Sequence, residues 1–96
     1  MAEGTPSFDR TKARILIVDD QETNRLLLSR RLRMEHYEEI TEAADGEEAL
    51  ALLEKAPFDV ILLDMIMPKI EGYEVLCAVK KNPALRHIPI IMISAD

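Results

Sequence analysis

The sequence is poor in several features that mark other classes of protein. It has one cysteine in 96 residues, which excludes an internal disulfide and is typical of a reducing compartment. No run of about eighteen apolar residues occurs, so the sequence predicts no membrane-spanning helix. The first residues, MAEGTPSFDRTKA, have no apolar stretch of the kind that a secretory signal needs. We therefore predict a cytoplasmic protein with no membrane partner.

Length and charge narrow the choice further. A chain of 96 residues has room for one small domain. Its formal net charge of −6 disfavours direct binding to nucleic acid, because contacts with phosphate need a basic surface. We predict that residues 1–12 form a flexible leader and that residues 13–96 form the domain.

Strand patterns alternate with helix patterns from Arg14 onward. Strands are predicted at Ile15–Val18, Glu39–Ala43, Phe58–Leu63 and Ile88–Ser94. Single helices are predicted between them, at 21–36, from Asp45 onward, and at Tyr73–Lys81. Strands that are apolar on both faces and separated by helices indicate a parallel sheet covered on both sides. The sequence therefore predicts a doubly wound α/β domain.

The spacing of apolar residues supports the predicted helices and, for the second and third, predicts the side that is buried. Leu28 and Leu32 are four residues apart in the first helix, and Leu27 and Met34 are seven apart. The second helix has an N-cap at Asp45 and a buried face of three residues: Ala49, Leu50 and Leu53. In the third helix, Leu76 and Val79 are predicted to face inward.

Polar side chains follow three of the predicted strands. Asp19 and Asp20 close the first, Asp64 the third, and Ser94 the fourth. Ligands of doubly wound sheets bind beyond the carboxyl ends of the strands, so the three carboxylates converge if the first and third strands are neighbours. Clustered carboxylates repel one another unless a cation lies among them, and Mg²⁺ suits such an all-oxygen set. Two alternatives are that Asp20 only caps the first helix and that Ser94 is an ordinary hydroxyl.

Three segments together resemble the response-regulator receiver domain of two-component signalling. They are ILIVDD, VILLDMIMPKIEGYE and HIPIIMISA, and the resemblance runs from about Ala13 to Asp96. It implies a flavodoxin-like sheet with strand order 2-1-3-4.

The resemblance also implies a role for each residue of the site. Asp64 is expected to be the phosphoacceptor, and Asp20 to bind Mg²⁺ directly. Asp19 is expected to bind the ion directly or through water, and the backbone carbonyl of Ile66 to be a further ligand. Ser94 is expected to donate a hydrogen bond to the phosphoryl group. Such a domain is a signalling module rather than an enzyme: it accepts a phosphoryl group from a histidine kinase or a histidine phosphotransfer protein and switches a partner or a fused output domain.

The resemblance stops after the fourth strand. We therefore expect residues 13–96 to be a receiver domain without the family's fourth helix, fifth strand, fifth helix and fifth-strand lysine. The fourth strand becomes a sheet edge, with less cover for apolar residues between Ile88 and Ile93. We expect a fragment, part of a longer chain, or a form that associates with itself through this strand.

Two other functions stay open at this point. A pseudo-receiver binds partners without being phosphorylated, and the missing lysine favours it. A magnesium-dependent phosphohydrolase also uses an Asp nucleophile, but the adjacent pair Asp19-Asp20 differs from the spacing usual in such enzymes. The first helix is basic, with Arg25, Arg30, Arg31 and Arg33; this is either a kinase-docking face or a solvated surface.

Overall fold

The protein forms one parallel sheet with helices on both faces. A computed structural model describes residues 9–64 and 71–93. The strands are β1 Arg14–Val18, β2 Glu39–Ala43, β3 Val60–Asp64 and β4 Ile90–Ile93. The helices are α1 Glu22–Met34, α2 Gly46–Lys55 and α3 Glu71–Lys81. The strand order is β2-β1-β3-β4 and every pairing is parallel, which confirms the predicted fold class and order.

Alternate residues of the central strands bury their side chains on opposite faces of the sheet. On one face, Leu16 and Val18 of β1 belong to the larger core cluster, which takes in residues of α2 and α3. On the other face, Ile15 and Ile17 pack with Leu62 against residues of α1. Because both faces of the two strands are covered, residues 15–18 of β1 and 60–63 of β3 are all apolar.

The structure corrects the start of two predicted strands. Phe58 lies before β3, which begins at Val60, yet its ring is buried in the larger core cluster. Ile88 likewise lies before β4, which begins at Ile90, and is also buried. Pro89 separates Ile88 from β4 and has no N–H to donate, which explains a strand start after it. Both residues are buried apolar residues of the preceding loops, which apolar composition alone does not distinguish from strand residues.

The predicted buried faces of α2 and α3 are confirmed, and in α1 the four-residue and the seven-residue spacings mark opposite faces of the helix. Leu28 and Leu32 pack against the sheet. Leu27 and Met34 are 56% and 72% exposed, so their seven-residue spacing reflects the outer face of α1. The predicted inward residues of α2 and α3 are in or against the larger core cluster: Ala49, Leu50, Leu53, Leu76 and Val79.

The edge of the sheet formed by β4 is less covered than its central strands. In β4, Ile91 and Met92 are 53% and 56% exposed although they are large and apolar, and Ile90 and Ile93 are half-buried.

Residues 10–12, within the predicted leader, form a 3-10 helix. Over the described residues, the longest apolar stretches of helix fall short of what a membrane crossing requires.

Candidate functional site

The carboxyl ends of β1 and β3 bring three aspartates together. The register between these strands pairs Val18 with Leu63, and the next residue of each segment is an aspartate, Asp19 and Asp64. With Asp20, they each offer a carboxylate oxygen, and these oxygens all lie within 4.8 Å of one another. The sheet register thus produces the convergence that the strand-end pattern predicts.

Burial makes this cluster electrostatically unfavourable without a counter-charge. Asp19 and Asp64 are 1% and 3% exposed, whereas Asp20 is open to solvent. Burial raises the pKa of Asp19, and the negative charges of Asp64 and Asp20 raise it further. Hydrogen bonds oppose this rise: the backbone N–H of Gln21 donates to Asp19 Oδ1 at 2.9 Å, and the side chain of Asn24 also contributes. A buried carboxyl with a raised pKa next to two others is a site that favours a cation or a proton.

The structure does not support the helix-cap alternative for Asp20. The N-cap of α1 is Gln21, and no side-chain hydrogen bond caps this helix. By contrast, the side chain of Asp45 caps α2 by accepting from the backbone N–H of Glu48 at 2.8 Å. The carboxylate of Asp20 is therefore available at the exposed side of the acidic cluster.

Two predicted site residues, Ser94 and Ile66, lie outside the described residues. The residue before Ser94 is described: β4 pairs with β3 in a register that sets Ile93 beside Asp64. Ser94 is the residue after Ile93 in the chain.

Sequence patterns missed two residues next to the acidic cluster. Asn24 contacts Asp19 through its side chain, and Arg25 Nη1 donates to the backbone carbonyl of Asp19 at 2.8 Å. Arg25 differs from the other three arginines of α1, because its side chain is 15% exposed whereas theirs are exposed. The basic pattern of the helix in the sequence does not distinguish it from them. The useful signal was position, since Asn24 and Arg25 lie about one helical turn beyond the acidic pair.

One cavity lies away from the acidic cluster. It has a volume of about 630 Å³ and is lined at the other end of the strands by residues that include Arg14, Tyr37 and Asp59. None of the three aspartates of the cluster lines it. Chemistry rather than cavity size therefore identifies the candidate site.

The fold and the cluster define a class: a doubly wound α/β domain with an acidic site where its central parallel strands end. The family model of the response regulator receiver domain matches residues 15–96. The chain belongs to this family.

A curated relative and two solved structures support the assignment. Response regulator PleD from Caulobacter vibrioides is 46% identical over 83 residues, which is 86% of this chain and 18% of PleD. The N-terminal domain of a response regulator receiver protein from Methanoculleus marisnigri JR1 superposes with a TM-score of 0.81 at 35% identity, covering 88% of this chain and 68% of that one. Response regulator TrrA from Thermotoga maritima, in complex with Mg²⁺-BeF, has a TM-score of 0.76 at 39% identity, covering 88% and 70%.

Proposed function

We propose that this domain accepts a phosphoryl group on Asp64, with Mg²⁺ bound beside it, from a histidine kinase or a histidine phosphotransfer protein. The single observation that carries the proposal is the convergence of Asp19, Asp20 and Asp64, with oxygens within 4.8 Å, at the ends of β1 and β3. Membership of the receiver family supports the same function.

The donor set fits Mg²⁺. This ion prefers hard oxygen ligands and is usually held by one or two carboxylates, with water in the remaining positions. In our proposal Asp20, Asp64 and the backbone carbonyl of Ile66 bind the ion directly, and Asp19 binds it directly or through water. The raised pKa of Asp19 supports the proposal, because it reflects burial and neighbouring negative charge that a bound cation would offset. The related TrrA protein was determined in complex with Mg²⁺-BeF, which supports the same ion here.

The proposed transfer is a nucleophilic displacement at phosphorus. A carboxylate oxygen of Asp64 forms the new O–P bond while the P–N bond of the phosphohistidine breaks, and the imidazole nitrogen leaves with the electron pair. Most of the catalysis in such a transfer comes from positioning and from neutralising charge on the equatorial oxygens. Bound Mg²⁺ supplies part of that neutralisation.

We assign Ser94 the role of donating its hydroxyl hydrogen bond to a second phosphoryl oxygen. Two facts support this role: β3 and β4 pair Asp64 with Ile93, and Ser94 follows Ile93 directly. A hydrogen bond from Ser94 to the phosphoryl group holds that group in place. It also links the phosphoryl group to β4. Through this residue, phosphorylation can bias the surface that a partner or a fused output domain reads.

A fused output domain is consistent with the relatives, because this chain spans only 18% of PleD. We also propose that the 96-residue chain associates with itself through β4. This strand lies at the end of the described sheet, and its exposed Ile91 and Met92 give that edge an apolar surface.

The direct test is to incubate the chain with Mg²⁺ and acetyl phosphate, quench it in acid, and measure its intact mass. We expect one added phosphoryl group in the wild type and none in Asp64→Asn. Asp59→Asn is the matched control, because Asp59 lies just before β3 and is bound to Arg14 at the opposite end of the strand. This control is expected to be phosphorylated like the wild type.

The result separates the proposal from its alternatives. If the wild type and both variants gain nothing, the proposal fails for this chain and two explanations stay open, a pseudo-receiver or an incomplete receiver. Repeating the test on a chain extended past Asp96 separates them. If Asp64→Asn is still phosphorylated, Asp64 is not the acceptor. A phosphohydrolase would instead release phosphate from many equivalents of a phosphoester without an acyl phosphate donor.

A further inference from the structure

Arg25 connects the acidic site to the neighbouring strand β2. Its Nη1 donates to the backbone carbonyl of Asp19 at 2.8 Å, and its Nε donates to Glu42 Oε1 at 3.2 Å. The side chain is 15% exposed, so these contacts are better shielded from water than those of a surface ion pair. One guanidinium thus joins α1, the end of β1 and β2.

These contacts act on the peptide unit that joins the two aspartates. The carbonyl of Asp19 belongs to the planar peptide between Asp19 and Asp20, so holding its oxygen restricts the orientation of that whole unit. The preceding peptide is held as well, because the N–H of Asp19 donates to the carbonyl of Ala43 at 3.1 Å. The backbone on both sides of the Asp19 side chain is therefore tied to β2, directly or through Arg25.

The ion pair with Glu42 partly balances the positive charge of Arg25. A lone guanidinium near the aspartates would repel a divalent cation, but Glu42 partly balances this one. Arg25 can therefore hold the backbone of the acidic pair at a reduced electrostatic cost to metal binding.

We propose that Arg25 is a positioning residue for Mg²⁺: it orients the Asp19-Asp20 peptide so that the two carboxylates can bind the ion together with Asp64. This inference rests on the proposed function. Groups that orient metal ligands without touching the metal commonly contribute about 10- to 100-fold to metal affinity or activity.

The test is a calorimetric titration of Mg²⁺ into the wild type and three variants, with the melting temperature of each measured separately. Arg25→Gln removes both contacts, and its Mg²⁺ affinity is expected to fall by about tenfold. Arg25→Lys keeps the charge, but an ammonium lacks the planar fork that reaches both oxygens. Its affinity is expected to fall by a smaller factor, and it serves if Arg25→Gln does not fold.

Arg14→Gln is the matched control. Arg14 is also an arginine bound to an acidic side chain, with its Nε 3.1 Å from Asp59 Oδ2, but it lies at the other end of β1. We expect a lower melting temperature in this variant and an unchanged Mg²⁺ affinity.

The sign of the change distinguishes positioning from simple charge repulsion. Repulsion alone predicts tighter Mg²⁺ binding in Arg25→Gln and unchanged binding in Arg25→Lys. Unchanged or tighter binding in both variants, with melting temperatures lowered as in Arg14→Gln, overturns the inference and leaves the proposed function intact. A wild type that does not bind Mg²⁺ overturns the proposed function, and the inference with it.

Discussion

Asp19 and Asp64 hold carboxylate oxygens within 4.8 Å of each other although both side chains are almost fully buried. Adjacent parallel strands impose this approach, because Val18 pairs with Leu63 and an aspartate follows each of them. Burial and mutual repulsion both disfavour ionising two such groups. Such a pair favours a cation or a proton beside it.

Removing one charge from the pair is expected to stabilise the metal-free protein. Asp64→Asn keeps the shape of the side chain and removes its repulsion of Asp19, which should raise the free energy of unfolding by on the order of 1 kcal/mol. Urea denaturation in the presence of EDTA measures this difference. The same variant is expected to lose most of the stabilisation by Mg²⁺ that the wild type shows. A metal-free Asp64→Asn less stable than the wild type would contradict this account.

The raised pKa of Asp19 predicts an unusual dependence of stability on pH. Because the pKa is higher in the folded state than in the unfolded state, the folded state binds the proton more tightly. This contribution to stability is fully present below the unfolded pKa and is lost as the pH rises through the folded pKa. Denaturation of the metal-free wild type across this range should show the loss, and Asp19→Asn should remove it. Added Mg²⁺ should oppose it, because the ion competes with the proton for the same oxygens.

At the opposite end of the sheet, the ion pair of Arg14 and Asp59 predicts a pH dependence of stability with the opposite sign. Arg14 donates to Asp59 through its backbone N–H at 2.8 Å and through its guanidinium, and these bonds lower the pKa of Asp59. The contribution to stability is present above the unfolded pKa and is lost as the pH falls through the folded pKa. Asp59→Asn should therefore be less stable than the wild type at neutral pH and equally stable in strong acid. The difference in stability between Asp59→Asn and the wild type should be small, since both side chains are nearly half exposed. If the difference were the same at every pH, it would come from packing rather than from charge.

The apolar edge at β4 predicts association that depends on concentration. Replacing Ile91 and Met92 by lysine should shift the 96-residue chain toward the monomer in sedimentation velocity, since charged residues at a sheet edge oppose pairing with another chain. Leu26 and Leu27 of α1 are exposed to a similar degree, 58% and 56%, but lie away from the sheet edge. The matched Leu26→Lys, Leu27→Lys variant should behave like the wild type. If it dissolves the association instead, α1 is the contact surface.

Several features of the site and fold could be predicted from sequence for clear physical reasons. Strand-end aspartates are readable because apolar runs on parallel strands stop where side chains meet solvent or ligand. Strand boundaries are not determined by apolar composition: Phe58 and Ile88 are buried in loops, and composition alone does not separate a buried loop residue from a strand residue. Helical spacing likewise does not determine that Leu27 and Met34 face outward, since a helical period marks a face without saying which way it points.

By itself, the sequence determined the class of fold, the order of elements and the identity of the three carboxylates, because these depend on local pattern and on the rule that parallel strands end together. Only the tertiary structure decided that Asp19 and Asp64 are buried as neighbours and that Asp20 does not cap α1. It also separated Arg25 from the other arginines of α1, by bringing Glu42 of β2 and the carbonyl of Asp19 to the same guanidinium. Contacts of this kind depend on strand register and helix rotation, which join residues that are distant in the chain.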